Sequence, residues 1–118
     1  MRFIDDASQV ADLALLGLGL NGHVAFHEPG LPENFFSGCV RLNSHTCQNL
    51  GVKNGAWGLT YGIGALKRAK AVLLMVRGLS KHEILGQLLK QNPALPATYL
   101  LKHANITILV DREAYGKI

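Results

Sequence analysis

His23 and Glu28 stand five residues apart around the apolar segment 24–26, with Asn21 two residues before the histidine. A neutral imidazole takes or gives a proton near pH 7, and a carboxylate can orient it or share that proton. If residues 22–27 form a helical turn or a tight loop, the three side chains converge on one spot. Their setting is residues 15–30, LLGLGLNGHVAFHEPG, an apolar run that breaks into glycines and then into His23, His27, Glu28 and Pro29. Taken singly, His23 could be an ordinary loop histidine and Glu28 a surface acid. The order of residues around them decides the matter.

One reading of that order is nucleotide binding, because Gly17, Gly19 and Gly22 have the G-x-G-x-x-G spacing of a dinucleotide turn. Such a turn must open a helix of several turns, whose N-terminal amides hold the pyrophosphate. Pro29 and Gly30 follow Gly22 by seven and eight residues, and proline inside a helix costs about 3 kcal/mol. The acid expected about 20 residues beyond the glycines is missing too. Residues 37–45, SGCVRLNSH, hold no carboxylate, and Arg41 alone argues for a 2′-phosphate. The nucleotide reading therefore gives way.

The whole string closely resembles the signature of glucosamine-6-phosphate deaminases and their galactosamine-6-phosphate isomerase relatives, G-x-G-x-[DN]-G-H-[IL]-x-[FL]-N-E-P-G. The match falls on Gly17, Gly19, Asn21, Gly22, His23, Glu28, Pro29 and Gly30. Phosphogluconolactonases share the first half of this signature but typically lack its Glu-Pro-Gly ending, so Glu28 favours the isomerase/deaminase branch. Residues 59–64 (LTYGIG), 96–101 (PATYLL) and the strand 106–110 extend the similarity over roughly residues 11–111.

The resemblance implies roles. His23 matches the histidine that opens the sugar ring by moving a proton between the C1 hydroxyl and the ring oxygen, and Glu28 matches the acid that supports it. Asn21 stands where deaminases usually have aspartate. It can accept a hydrogen bond from the imidazole but brings no charge, which points to the galactosamine-type branch or a weaker relay. Gly17 and Gly19 are expected at the substrate. His27 replaces a frequent asparagine and is read as supporting the catalytic residues or as structural, rather than as catalytic itself. Lys81, in R-G-L-S-K, matches a phosphate-binding lysine at a helix start, where free amides already favour an anion; Ser80 would cap that helix or assist. The arginine that deaminases usually add from residues 40–50 has no clear counterpart: Arg41 is out of place, and His45 or Gln48 occupies the ungapped position.

These residues need a sheet to position them. Strands are expected over 11–17, 39–43, 56–61, 71–77 and 106–110, and helices near 62–69, 79–91 and 95–103, with Leu79, Ile84, Leu85, Leu88 and Leu89 on one face of the second. The 51–58 stretch reads as a loop. The expected fold is α/β, a mostly parallel sheet flanked by helices, corresponding to the C-terminal half of a Rossmann-like sugar-phosphate isomerase fold. Right-handed crossovers would bring the 17–30 loop and Lys81 to one sheet edge.

At 118 residues the chain reads as a single partial domain, about half the family's usual size. The family's Gly-Ala/Ser-Thr-Pro phosphate loop and the aspartate that moves the C2 proton have no counterpart; Asp5 and Asp6 lie too close to the first strand. Two readings follow: an amino-hexose-6-phosphate isomerase or deaminase, or a non-catalytic remnant that keeps a phosphosugar-binding fold. A 6-phosphogluconolactonase-like hydrolase and a nucleotide-binding domain stand behind them.

Composition sets the remaining bounds. Hydrophobic residues make up 48% without any run approaching the ~20 residues of a membrane span. The start is short and acidic rather than a secretory signal, so a cytoplasmic protein with no membrane partner is expected. Cys39 and Cys47 lie eight apart without a C-x-x-C, which supports neither zinc nor a disulfide framework, so reduced thiols are expected and no metal or cofactor. The net charge of +4 is dispersed and lacks aromatic-basic interleaving; it suits a phosphorylated amino sugar, not nucleic acid. Trp57 and Tyr61 are read as core or interface. A half-fold would leave a sheet edge and one surface bare, which predicts association through the truncated face or a homo-oligomer.

Overall fold

The computed structural model describes residues 11–116; Asp5 and Asp6 lie outside the described residues. In chain order the elements are β1 (Leu13–Gly17), β2 (Ser37–Arg41), α1 (Ser44–Leu50), β3 (Trp57–Tyr61), α2 (Ile63–Leu66), β4 (Ala71–Val76), a 3-10 turn (Leu79–Lys81), α3 (His82–Leu89), α4 (Pro96–Leu100), β5 (Ile106–Val110) and α5 (Arg112–Tyr115). The fold is α/β, as expected, but the five strands do not share a sheet. β1, β4 and β5 form a parallel sheet in the order β1-β4-β5, while β2 and β3 pair antiparallel as a separate ribbon.

The period-two alternation of the strands divides the parallel sheet into two unlike faces. Leu74 and Val76 of β4 point inward with Leu16, Ile106, Ile108 and Val110, where Ile84, Leu85 and Leu88 of α3, Ala97 and Leu100 of α4, Ile63 of α2 and Ala114 of α5 cover them. Val72 packs with Ala14 and Ala69 in an adjoining cluster. Burying each of the larger of these side chains contributes about 1.5–3 kcal/mol. The opposite face carries Leu13, Leu15, Met75 and Leu109, all exposed, and the register places Leu15 beside Leu73 and Met75 beside Leu109. Parallel sheets are ordinarily covered on both faces. Here only one is covered among the described residues.

Three helical expectations change. The 79–91 helix divides into the 3-10 turn and α3, because Gly78 enters with φ +95 and Lys81 leaves the turn before α3 begins. Leu79 falls in the turn, out of phase with the apolar stripe, and is exposed; Leu89 sits at the edge of that stripe and is exposed too. α1 is an unexpected helix between the expected strand and loop. Asn43 caps it, accepting from the His45 amide, and Gly51 ends it in the left-handed conformation. α5 is also unexpected and is capped by Asp111, which accepts from the Ala114 amide. Asp111 also accepts from the Gly78 amide, and these two donors hold its carboxyl below the usual range.

Trp57 and Tyr61 are not core. With Leu59 they line the exposed side of the β2–β3 ribbon, and Trp57 is 64% exposed with the Arg41 guanidinium 5.9 Å from its ring. The ribbon's other side, with Val40, Leu42 and Cys47, makes a small satellite core against Phe26, Leu31 and Phe35. Cys39 is exposed and Cys47 buried, and both are free thiols. No helix among the described residues is long and apolar enough to cross a membrane.

Candidate active site

β1 ends at Gly17, and the chain then turns tightly at the C-terminal end of the parallel sheet, where ligands of open α/β sheets bind. The Gly22 amide donates to the Gly19 carbonyl, and the Gly19 amide to the His23 carbonyl. Gly22 takes φ +84, a region that favours glycine, and a Cβ there would also lie 2.7 Å from Leu95. The segment is a tight loop, not a helix, which disposes of the dinucleotide turn.

The loop is pinned from beneath. Val24 is fully buried in the main core. His27 is fully buried as well, accepting from the Ile63 amide through Nδ1 (2.9 Å), with its ring edge-on to Phe35. Burial pushes the His27 pKa below its ordinary value, partly offset by the Leu31 carbonyl. His27 is thus a structural residue, and the Phe26 amide adds a tether to the Thr60 hydroxyl.

Held this way, the loop brings Asn21, His23 and Glu28 together. His23 Nδ1 lies 2.6 Å from Asn21 Oδ1 and 3.3 Å from Glu28 Oε1. Asn21 Oδ1 also accepts from the His23 amide, and Asn21 Nδ2 donates to Glu28 Oε2 at 3.4 Å. Both neighbours of Nδ1 are acceptors, so Nδ1 carries the proton and Nε2 holds the basic lone pair. Burial lowers the His23 pKa most; the Glu28 charge opposes this and the Lys81 charge adds to it. The ring is therefore neutral at pH 7.

Gly19 makes room for that ring. A Cβ at position 19 would lie 2.3–2.4 Å from three atoms of the imidazole. Gly19→Ala is expected to displace His23 without unfolding the loop, because the obstacle is a side-chain ring that can turn away. Histidine ring NMR signals should move while the melting temperature changes little; unchanged signals would refute the close packing. Gly17 has no such role, since a Cβ there meets nothing within 4 Å.

Lys81 reaches the same place from the 3-10 turn. Its Nζ donates to the Leu18 carbonyl at 2.5 Å, and desolvation lowers its pKa. Ser80 makes no capping bond; it lines a hollow of about 240 Å³ with Leu20, Glu83 and Gln87. Leu20 also lines a cleft of about 190 Å³ with Asn21, His23, His45, Thr46 and Asn49. His45 thus borders the site, whereas Arg41 is engaged at Trp57. Among the described residues no group of three or more His, Cys, Asp or Glu side chains gathers to hold a metal.

The sequence reading missed Thr46. Its hydroxyl donates to Glu28 Oε1 at 2.6 Å, and both residues are buried. The contact spans 18 positions, and only the Asn43 cap and Gly51 stop of α1 hint that Thr46 sits on a helix at all.

The sequence pattern of the glucosamine-6-phosphate isomerases/6-phosphogluconolactonase family matches residues 2–109. Glucosamine-6-phosphate deaminases of Bacillus thuringiensis (strain Al Hakam) and Bacillus anthracis (strain A0248) are each 40% identical over 92% of the chain. The chain spans 44% of their length. A monomeric glucosamine-6-phosphate deaminase superposes with TM-score 0.81 at 37% identity, covering 87% of this chain and 46% of that one. The 6-phosphogluconolactonase of Leishmania guyanensis superposes at TM-score 0.72 and 20% identity, over 99% of this chain and 46% of its own, a likeness of fold.

Proposed function

Because the chain belongs to the glucosamine-6-phosphate isomerases/6-phosphogluconolactonase family, we propose that it carries the ring-opening part of an amino-hexose-6-phosphate isomerase or deaminase site. The observation behind this reading is the neutral His23 whose Nδ1–H is held by Asn21, with the Glu28 carboxylate beside it. His23 Nε2 takes the proton of the sugar C1 hydroxyl and returns it to the ring oxygen. The C1–O5 bond breaks, C1 becomes a carbonyl and O5 a hydroxyl, so the proton balance closes on the histidine. Glu28 steadies the transient imidazolium, and Asn21 keeps the imidazole oriented. The Glu-Pro-Gly ending at residues 28–30 favours this branch over a lactonase-type hydrolase.

The ligand is a phosphorylated amino sugar, and Lys81 receives its phosphate by exchanging the Leu18 carbonyl for phosphate oxygen. The chain acts as one partial domain of a cytoplasmic enzyme and associates through its bare sheet face. The test incubates the purified chain with glucosamine 6-phosphate and galactosamine 6-phosphate. It follows thermal shift, anomer exchange by NMR, and release of ammonia and ketose phosphate. A shift with at least one sugar and faster anomer exchange are expected; neither with either sugar would overturn the proposal.

Lys81→Ala should weaken sugar-phosphate binding roughly 10- to 100-fold, the worth of a charged hydrogen bond. The rate at saturation should change little. Because the Lys81 charge lowers the His23 pKa, the same variant should raise it, which an imidazole NMR titration checks.

A further inference from the structure

The Thr46–Glu28 hydrogen bond joins α1 to the loop that carries His23, and no role proposed so far for the site uses it. We propose that Thr46 is a positioning residue, fixing how the Glu28 carboxylate meets the His23 imidazole; this rests on the ring-opening reading of His23.

The case is geometric. Glu28 is buried, and a buried carboxylate must be supplied with donors. Three groups reach it: the Thr46 hydroxyl at 2.6 Å, His23 Nδ1 at 3.3 Å and Asn21 Nδ2 at 3.4 Å. Thr46 makes the shortest contact, and it does so on Oε1, the oxygen nearer His23. A hydroxyl proton on Oε1 occupies part of its acceptor capacity. The Nδ1 proton then stays directed at Asn21 Oδ1, 2.6 Å away, and Glu28 acts as a fixed charge beside the ring.

Thr46 is well placed to do this. Its helix is capped at both ends, and the neighbouring Cys47 is buried in the satellite core, so the hydroxyl is delivered from a rigid support. His45 and Asn49 of the same helix border the cleft with His23. The titratable and charged groups around His23 are therefore Glu28 from its own loop and Lys81 from the 3-10 turn, with His45 of α1 on the wall of the same cleft.

Two readouts on the whole chain test the proposal, and one needs no substrate. Thr46→Val removes the donor at nearly constant volume. It should make Glu28 a stronger acceptor and raise the His23 pKa, read from its ring C–H signal. Anomer exchange should slow roughly 10-fold in kcat with KM unchanged. Thr46→Ser, which keeps the hydroxyl, should restore both. If Thr46→Val does not fold, Thr46→Cys, a weak donor of similar size, takes its place with the same expected direction. A His23 titration identical in wild type and the hydroxyl-free or thiol variant overturns the positioning role. A titration that responds while wild type shows no anomer exchange supports positioning and overturns the ring-opening reading instead.

Discussion

His23→Ala is expected to reduce anomer exchange of the bound sugar phosphate by about 10²–10⁴-fold, the usual worth of a positioned general acid–base group. Binding measured by thermal shift should survive, because Lys81 and the cleft walls remain. Glu28→Gln should give a smaller loss, since it keeps the shape but removes the charge beside the imidazolium. An unaffected rate in His23→Ala would refute the relay.

The pH profile follows from the same group. The working form of His23 is neutral, and burial holds its pKa below the ordinary 6.5. On the proposed relay, anomer exchange is expected to fall as pH drops through that lowered value, which puts the acid limb of kcat/KM below 6.5. Stability has the same sign: between the unfolded and folded values the unfolded chain binds more protons. The stabilisation is complete above about 6.5 and is lost as pH drops toward the folded value. His27, also lowered by burial, adds to this. A chain that became more stable on acidification from pH 7 to 5 would contradict both assignments.

The second large effect concerns the bare sheet face. Leu15 and Leu109 are 57% and 56% exposed on a parallel sheet whose other face packs against helices. Among the described residues β1 pairs with β4 alone, and no described strand lies along its outer edge. An apolar face of this kind drives association. The wild-type chain should sediment as oligomers or aggregate at micromolar concentration. The double variant Leu15→Lys, Leu109→Lys should shift it strongly toward monomer. Its melting temperature should be little changed, since neither side chain contributes to the packed core. A wild-type chain that is monodisperse, monomeric and cooperatively melting would overturn the expectation.

Much of this site was legible in the primary structure because its members are close neighbours there. Asn21, His23 and Glu28 span eight positions, and Gly19, Gly22 and Pro29 permit a tight loop and forbid a long helix. A loop that short makes its own geometry, so residue order alone carries the family resemblance and the proposed proton relay. The parallel strands were equally readable, because apolar runs such as residues 71–76 register burial without reference to any partner.

Tertiary structure decided what depends on distant pairing. Strand partners are chosen by long-range register, so nothing local told β2 and β3 to leave the main sheet and pair with each other. The weakly apolar α1 escaped notice because its stability comes from an Asn43 cap, a Gly51 stop and two buried residues rather than from a periodic stripe. Its hydroxyl contact with Glu28, 18 positions away, exists only once both are packed. The sequence already placed Lys81 and the 17–30 loop at one sheet edge, but the bond from Lys81 to the Leu18 carbonyl, 63 residues away, depends on the register in which β1 pairs with β4. Residue types set the proton chemistry that is proposed; the packed sheet and α1 set where those side chains are held.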